Sequence, residues 1–157
     1  MTDLQPMLAQ MNRTAAAALA KAARELGDRA TWRPLDKGRS ALDQVIECAG
    51  FNLLGARVFT EHAMPPLDPA AFEQLGREND TLEKALALLE TGTDRLARAI
   101  EAFPSEKLDD KLTLPFGGGM EKSFGEIALM SFWNTTYHEG QINYIQTLCA
   151  APGDGAS

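Results

Sequence analysis

Residues 132–144 read Phe-Trp-Asn-Thr-Thr-Tyr-His-Glu-Gly-Gln-Ile-Asn-Tyr, inside a helical pattern that runs from Ser123 to about Leu148. Side chains three and four positions apart lie on one face of a helix. The apolar face of this segment is polar in its middle, and in order it reads Phe124, Ile127, Ser131, Asn134, His138, Gln141, Ile145 and Leu148. A buried polar group without a partner costs about 1–3 kcal/mol. This face therefore predicts a facing polar side chain, water, a metal or a ligand.

Gly140 interrupts the same helical pattern. A glycine inside a helix costs about 1 kcal/mol relative to alanine, because its backbone loses more freedom on folding. We expect another backbone or a ligand to come close at this position.

Composition limits the classes of function. The chain has 157 residues, which suits one domain, and its net charge of −7 with no run of Lys or Arg argues against a nucleic-acid partner. No apolar stretch reaches the roughly 20 residues that span a bilayer, and the first residues lack a signal-peptide pattern. The two cysteines, Cys48 and Cys149, have no metal-type spacing and are interpreted as small buried side chains. We therefore expect a cytoplasmic protein without a membrane or nucleic-acid partner.

Hydrophobic periodicity predicts four long helices: Leu4–Leu26, Ser40 to His62 or Met64, Thr81–Phe103, and Ser123 to about Leu148. Residues 68–76 form a short extra turn or begin the third helix, and no β-period is visible. The fold class is all-α, a four-helix bundle in one domain (1–150) with long connections between helices 1 and 2 and between helices 3 and 4. Gly117–Gly119 predict a turn, a mobile loop or a lid, and 151–157 predict a disordered tail.

Several other side chains have two interpretations. Glu47 lies at the edge of the second helix's apolar stripe, where it either faces water or turns into the bundle. Trp133 and Tyr137 either belong to the core or wall a pocket. His62, close to a predicted helix end, is expected to be exposed or to cap that end.

Three segments together resemble the DinB-like family, also called DinB/YfiT-like. They are Trp32-x-Pro leading to Gly38-Arg-Ser, Asp43-Gln-Val-Ile-Glu-Cys-Ala-Gly, and Asn134-Thr-Thr-Tyr-His-Glu-Gly-Gln. The last is the most specific, since it is similar to the family's His-x-x-x-His-Arg-Gly-Gln. The resemblance covers about residues 4–148 and implies a four-helix bundle.

The resemblance also implies a metal held by three histidines, one from the second helix and two from the fourth. Glu47 and Asn134 stand where two of these histidines are expected, and His138 matches the third. Glu139 replaces the family arginine, whereas Gly140 and Gln141 are kept. The whole chain has only two histidines, so a three-histidine site is impossible.

The altered motif leaves three interpretations open. In the first, Glu47, Asn134 and His138 hold one divalent ion (Zn, Ni, Mn or Fe), and Glu47 and His138 serve catalysis in a hydrolase or thiol transferase. In the second, the three bind no metal and hydrogen-bond to each other and to water, with Glu47 keeping His138 charged. In the third, the pattern is accidental.

The first two interpretations share a pocket and a set of partners. The pocket lies between the second and fourth helices, and its further residues are expected to be Ser131, Trp133, Tyr137 and Gln141. The metal-free interpretation makes the protein a non-catalytic module that binds a small molecule or pairs as a homodimer. The leucine-rich third helix is the expected pairing face.

Overall fold

The computed structural model describes residues 4–149 and is mostly helical. The elements that position the site are α1 (Leu4–Leu26), α2 (Ala41–Glu61), α3 (Pro69–Glu78), α4 (Leu82–Ala102), β1 (Lys111–Leu114), β2 (Met120–Ser123) and α5 (Phe124–Cys149). Short 3₁₀ helices at Gly27–Thr31 and Pro34–Asp36 lead from α1 to α2. The predicted tail, 151–157, lies outside the described residues.

The long helices begin and end close to the predicted residues, and side-chain caps stabilise their first turns. The Ser40 hydroxyl accepts from the Asp43 amide, while the Asp43 carboxylate accepts from the Ser40 amide, which forms the capping box of α2. Ser123 and Glu126 make the same reciprocal pair before α5. The Thr81 side chain caps α4.

Residues 69–78 form a helix of their own rather than the start of the next one. Asp68 accepts from the Ala70 amide and caps α3. A Cβ atom at Gly50 would lie 3.0 Å from the ring of Phe72, so the glycine in α2 leaves the space in which α3 packs. The short helix thus covers one side of α2.

The expectation of no β-structure was wrong. β1 and β2 pair antiparallel, with Lys111 opposite Ser123 and Leu114 opposite Met120. Gly117, Gly118 and Gly119 all have positive φ and form the turn, as glycine permits. Each strand has only four residues, too few for alternation to stand out from a loop.

The core lies between α1, α2, α4 and α5, which pack as α2 on α4, α1 on α5, α1 on α4, and α2 on α5. Among the α4 leucines that were expected to form a pairing face, Leu89 and Leu96 are buried in the core. The other three, Leu82, Leu86 and Leu88, are half-buried against it. In the part of the chain that the structure describes, no helix has both the length and the apolarity that crossing a membrane requires.

Gly92 lets α4 approach α2 closely. A Cβ atom there would lie 2.9 Å from the carbonyl oxygen of Ala49, closer than such atoms can come. Beside it, the Asn52 amide donates to the Thr93 hydroxyl at 3.0 Å, a buried polar contact between the same helices. The structural role of Gly92 is therefore this close approach.

We predict that Gly92→Ala lowers the free energy of unfolding by about 1–3 kcal/mol, because the added methyl group forces the two helices apart. Gly76→Ala in α3 is the matched control, since a Cβ atom there meets nothing within 4 Å. The control should be neutral or stabilise by up to about 1 kcal/mol through helix propensity. Urea unfolding measures both, and an equally stable Gly92→Ala protein would contradict the close-approach role.

Candidate functional site

The buried face of α5 differs from the predicted one in its second half. Thr135 and Ile142 are buried, whereas Asn134 and Gln141 are only partly buried and Leu148 is exposed. Steps of three and four approximate a period of 3.6 residues, so the choice of step decides which neighbour faces inward. His138 is buried as expected, with 3% of its surface exposed.

The His138 ring is held between α5 and α2 by contacts at both nitrogens. Its Nδ1 lies 2.9 Å from Oε1 of Gln44 and 3.1 Å from Oε1 of Gln141, and its Nε2 lies 3.2 Å from Oε1 of Glu47. Gln44 and Glu47 are three residues apart on α2, so both reach the same side of that helix. The polar middle of α5 therefore finds polar partners on α2.

Glu47 turns towards α5 but keeps contact with solvent, since 41% of its side chain is exposed. Its Oε2 forms an ion pair with Arg39, which comes from the segment just before α2. Arg39, Glu47 and His138 thus form a chain in which the guanidinium offsets the carboxylate charge.

Burial lowers the pKa of His138, the positive charge of Arg39 lowers it further, and the hydrogen bond with Gln141 opposes both. The expectation that Glu47 keeps the ring charged is therefore wrong. Glu47 does touch the ring, but its charge is offset by Arg39, so the loss of hydration decides the direction.

A neutral ring has only one N–H. The Glu47 carboxylate can only accept a hydrogen bond, which assigns the proton to Nε2 of His138. Nδ1 of the neutral ring then accepts from the NH₂ group of Gln44, because a glutamine amide can present NH₂ or oxygen at the same place. The Gln141 oxygen accepts from Nδ1–H only when the ring is charged.

Asn134 contacts a cysteine rather than the histidine. Its Nδ2 donates to Sγ of Cys48 at 3.9 Å, a weak bond within α2–α5 packing. Burial raises the pKa of the Cys48 thiol to about 12, so it is unsuited to act as a nucleophile at neutral pH.

An open cleft of about 760 Å³ lies beside the ring's partners. Gln44 and Gln141 line this cleft and His138 does not, so a ligand in the cleft would touch the amides rather than the buried ring. The other lining residues are Pro34, Arg39, Tyr137, Gly140, Tyr144 and Ile145. The cleft combines two aromatic rings, one cation and two amides.

The four predicted pocket residues divide into two pairs. Tyr137 and Gln141 line the cleft, whereas Ser131 and Trp133 do not. Ser131 is two helical turns from His138, and its hydroxyl donates to the carbonyl oxygen of Ile127 in its own helix. Trp133 is 63% exposed and stacks on Tyr137 at 5.5 Å, so it belongs neither to the core nor to the cleft.

Sequence reasoning missed Arg39, Gln44 and Tyr144. Gln44 could have been found from sequence, because it lies three residues before Glu47 on the same face of α2. No periodicity marks Arg39 because it precedes the helix.

His62 ends α2 with φ 52°, and its side chain is exposed as expected.

The donor set does not fit the three-imidazole metal site that the resemblance implies. Within residues 4–149, no group of three His, Cys, Asp or Glu side chains is placed to hold an ion. Asn134 would contribute only a neutral amide as a metal ligand. The Glu47 carboxylate is already paired with the positively charged Arg39.

Neither the protein-family models nor the curated proteins contain a match to this sequence. The resemblance to the DinB-like family is therefore an expectation that rests on the three sequence motifs alone.

The lowered pKa of His138 predicts a pH-dependent stability. The unfolded chain binds a proton near the ordinary pKa of about 6.5, whereas the folded chain binds it only at lower pH. The free energy of unfolding should therefore fall as pH drops below about 6.5, by at most about 1.4 kcal/mol per pH unit.

Urea unfolding between pH 5 and pH 8 measures this slope. His138→Asn should flatten it, while His62→Gln, which keeps His138, should retain it. A slope that persists in His138→Asn and disappears in His62→Gln would contradict the assignment.

Proposed function

We propose that the protein is a DinB-like four-helix bundle that binds a small molecule in the cleft between α2 and α5 without a metal ion. The observation that carries this proposal is the engagement of both His138 nitrogens by side chains of the chain itself. A ring used in this way supports the cleft from behind rather than coordinating an ion.

The bundle part of the proposal is supported by helix order and packing. The four long helices pack mainly as α2 on α4, α1 on α5, α1 on α4 and α2 on α5, and each begins near the residue that hydrophobic periodicity predicts. His138 on α5 and Glu47 on α2 meet across the bundle, at positions where the resemblance places family histidines.

The shape and chemistry of the cleft support a small organic ligand. Its volume falls within the roughly 300–1,000 Å³ that ligand pockets occupy. Tyr137 and Tyr144 offer flat apolar faces with a hydroxyl at the end, and the amides of Gln44 and Gln141 offer donors and acceptors. A planar molecule with polar substituents matches this combination.

The second candidate is a divalent-metal-dependent hydrolase or thiol transferase with an altered Glu47, Asn134 and His138 site. One observation favours it: Nε2 of His138 and Oε1 of Glu47 lie 3.2 Å apart. Two ligands that each lie about 2.1 Å from one ion have a similar separation. An ion would have to displace the proton between them and loosen the Arg39 pair.

A second copy of the chain is the proposed partner, and the proposed location is the cytoplasm. Both cysteines are free thiols, Cys48 buried and Cys149 partly buried, which suits a reducing compartment.

Elemental mass spectrometry of the untagged protein separates the two candidates. We predict less than about one tenth of an equivalent of any divalent metal, and no thermal shift when such ions are added, because the available donors bind ions weakly. Near-stoichiometric metal that is lost in both Glu47→Ala and His138→Ala would instead establish the second candidate.

Thermal shift with a library of small polar aromatic compounds tests the ligand proposal. Gly140→Phe should weaken every genuine ligand at least about tenfold, because the ring would fill the cleft from its lining. Gly76→Phe is the matched control, since both glycines have open space where a side chain would start. Compounds that bind the two variants equally, or a library without ligands, would contradict the proposal.

A further inference from the structure

A continuous apolar stripe runs along the outside of α5. Its large side chains are 38–64% exposed, and they are Leu129, Trp133, Tyr137, Tyr144 and Leu148. At about 100° per residue these positions and Gly140 fall within an arc of about 100°, so they form one face of the helix. Its length from Leu129 to Leu148 is about 30 Å at 1.5 Å per residue.

The stripe carries no charge in a protein that is otherwise rich in charge. Asp, Glu, Lys and Arg make up 24% of the chain, yet between Leu129 and Leu148 the only one of these is Glu139, which lies outside this arc. An uncharged aromatic face on this scale is typical of a protein interface. Since each copy has a net charge of −7, two copies would approach best through a face without acids.

The spacing of the stripe is symmetric about a point between His138 and Glu139. Three pairs of residues are each equally far in sequence from that point: Leu129 and Leu148, Trp133 and Tyr144, and Tyr137 and Gly140. An antiparallel second copy of the helix therefore faces leucine with leucine and aromatic with aromatic. Near the centre, each Tyr137 faces the open space at Gly140, where a Cβ atom would meet nothing within 4 Å.

We infer that two copies of this chain pair through antiparallel α5 helices crossing close to His138, with Tyr137 of each copy packed on Gly140 of the other. The stripe consists of two ridges, 129–133–137 and 140–144–148, in each of which successive residues are four positions apart. Ridges of this kind pack into the grooves of a second helix where two helices cross. On α4, where this contact was expected, Leu89 and Leu96 belong to the core instead.

The pairing also completes the cleft. Tyr137, Gly140 and Tyr144 belong both to the stripe and to the lining of the cleft. A second α5 helix across this face therefore supplies the outer wall that the open cleft lacks in one copy. This part of the inference rests on the proposed ligand site, whereas the pairing of the helices does not.

Sedimentation velocity over a range of protein concentrations tests the pairing. We expect a dimer for the wild type, and a dissociation constant at least about 30-fold higher for Trp133→Glu, because burying an acid among aromatics removes a central contact. Met7→Glu on α1 is the matched control, since Met7 is also an exposed apolar side chain (48%) on a helix but lies outside the stripe. Circular dichroism checks that each variant is folded.

A charge pair tests the antiparallel register. Adding Tyr144→Lys to Trp133→Glu should restore dimerisation by at least about tenfold, because the introduced acid of each copy faces the introduced base of the other. In a parallel pair like charges would face each other, and no recovery would follow. A wild type that stays monomeric, a Met7→Glu protein as weakened as Trp133→Glu, or a double variant without recovery would overturn the inference.

The ligand proposal can fail separately. If the wild type is a dimer in which no library compound binds, the pairing stands and the ligand site falls. If compounds bind a monomeric wild type, the ligand site stands and the pairing falls.

Discussion

The burial of one imidazole between two helices constrains this structure more than any other feature. His138 has 3% of its surface exposed, so water cannot satisfy its two nitrogens and the chain must do so. Gln44 and Glu47 on α2 and Gln141 on α5 provide the partners. The polar residues in the middle of the apolar face of α5 therefore lie opposite polar residues on α2.

The start of α2 sets the position of these partners. The Ser40–Asp43 capping box fixes the first turn, which places Gln44 beside His138. Asp43 also forms an ion pair with Arg33, which ties the preceding segment to the same turn. That segment delivers Arg39 to Glu47 and to the rim of the cleft. The capping box that begins α2 thus also helps to position the charged residues around the site.

The helices and part of the site followed from sequence because both depend on local periodicity and capping. Ser40, Thr81 and Ser123 marked helix starts, and the inward position of His138 followed from spacing on α5. The hairpin was missed because its strands are short, and α3 was ambiguous because its docking depends on space at Gly50. The lowered pKa of His138 followed from sequence only in part: its inward position implied burial, which is the main cause, whereas the contribution of Arg39 depends on a segment without a regular period.

The protonation state of His138 is the most direct test of how the ring is held between α2 and α5. Long-range ¹H–¹⁵N NMR of a His62→Gln protein at pH 7 observes its single remaining imidazole. We predict a neutral ring with the proton on Nε2 and a bare Nδ1, because burial lowers the pKa of His138 and the Glu47 carboxylate can only accept a hydrogen bond. A doubly protonated ring at pH 7, or a neutral ring with the proton on Nδ1 and a bare Nε2 facing Glu47, would contradict it.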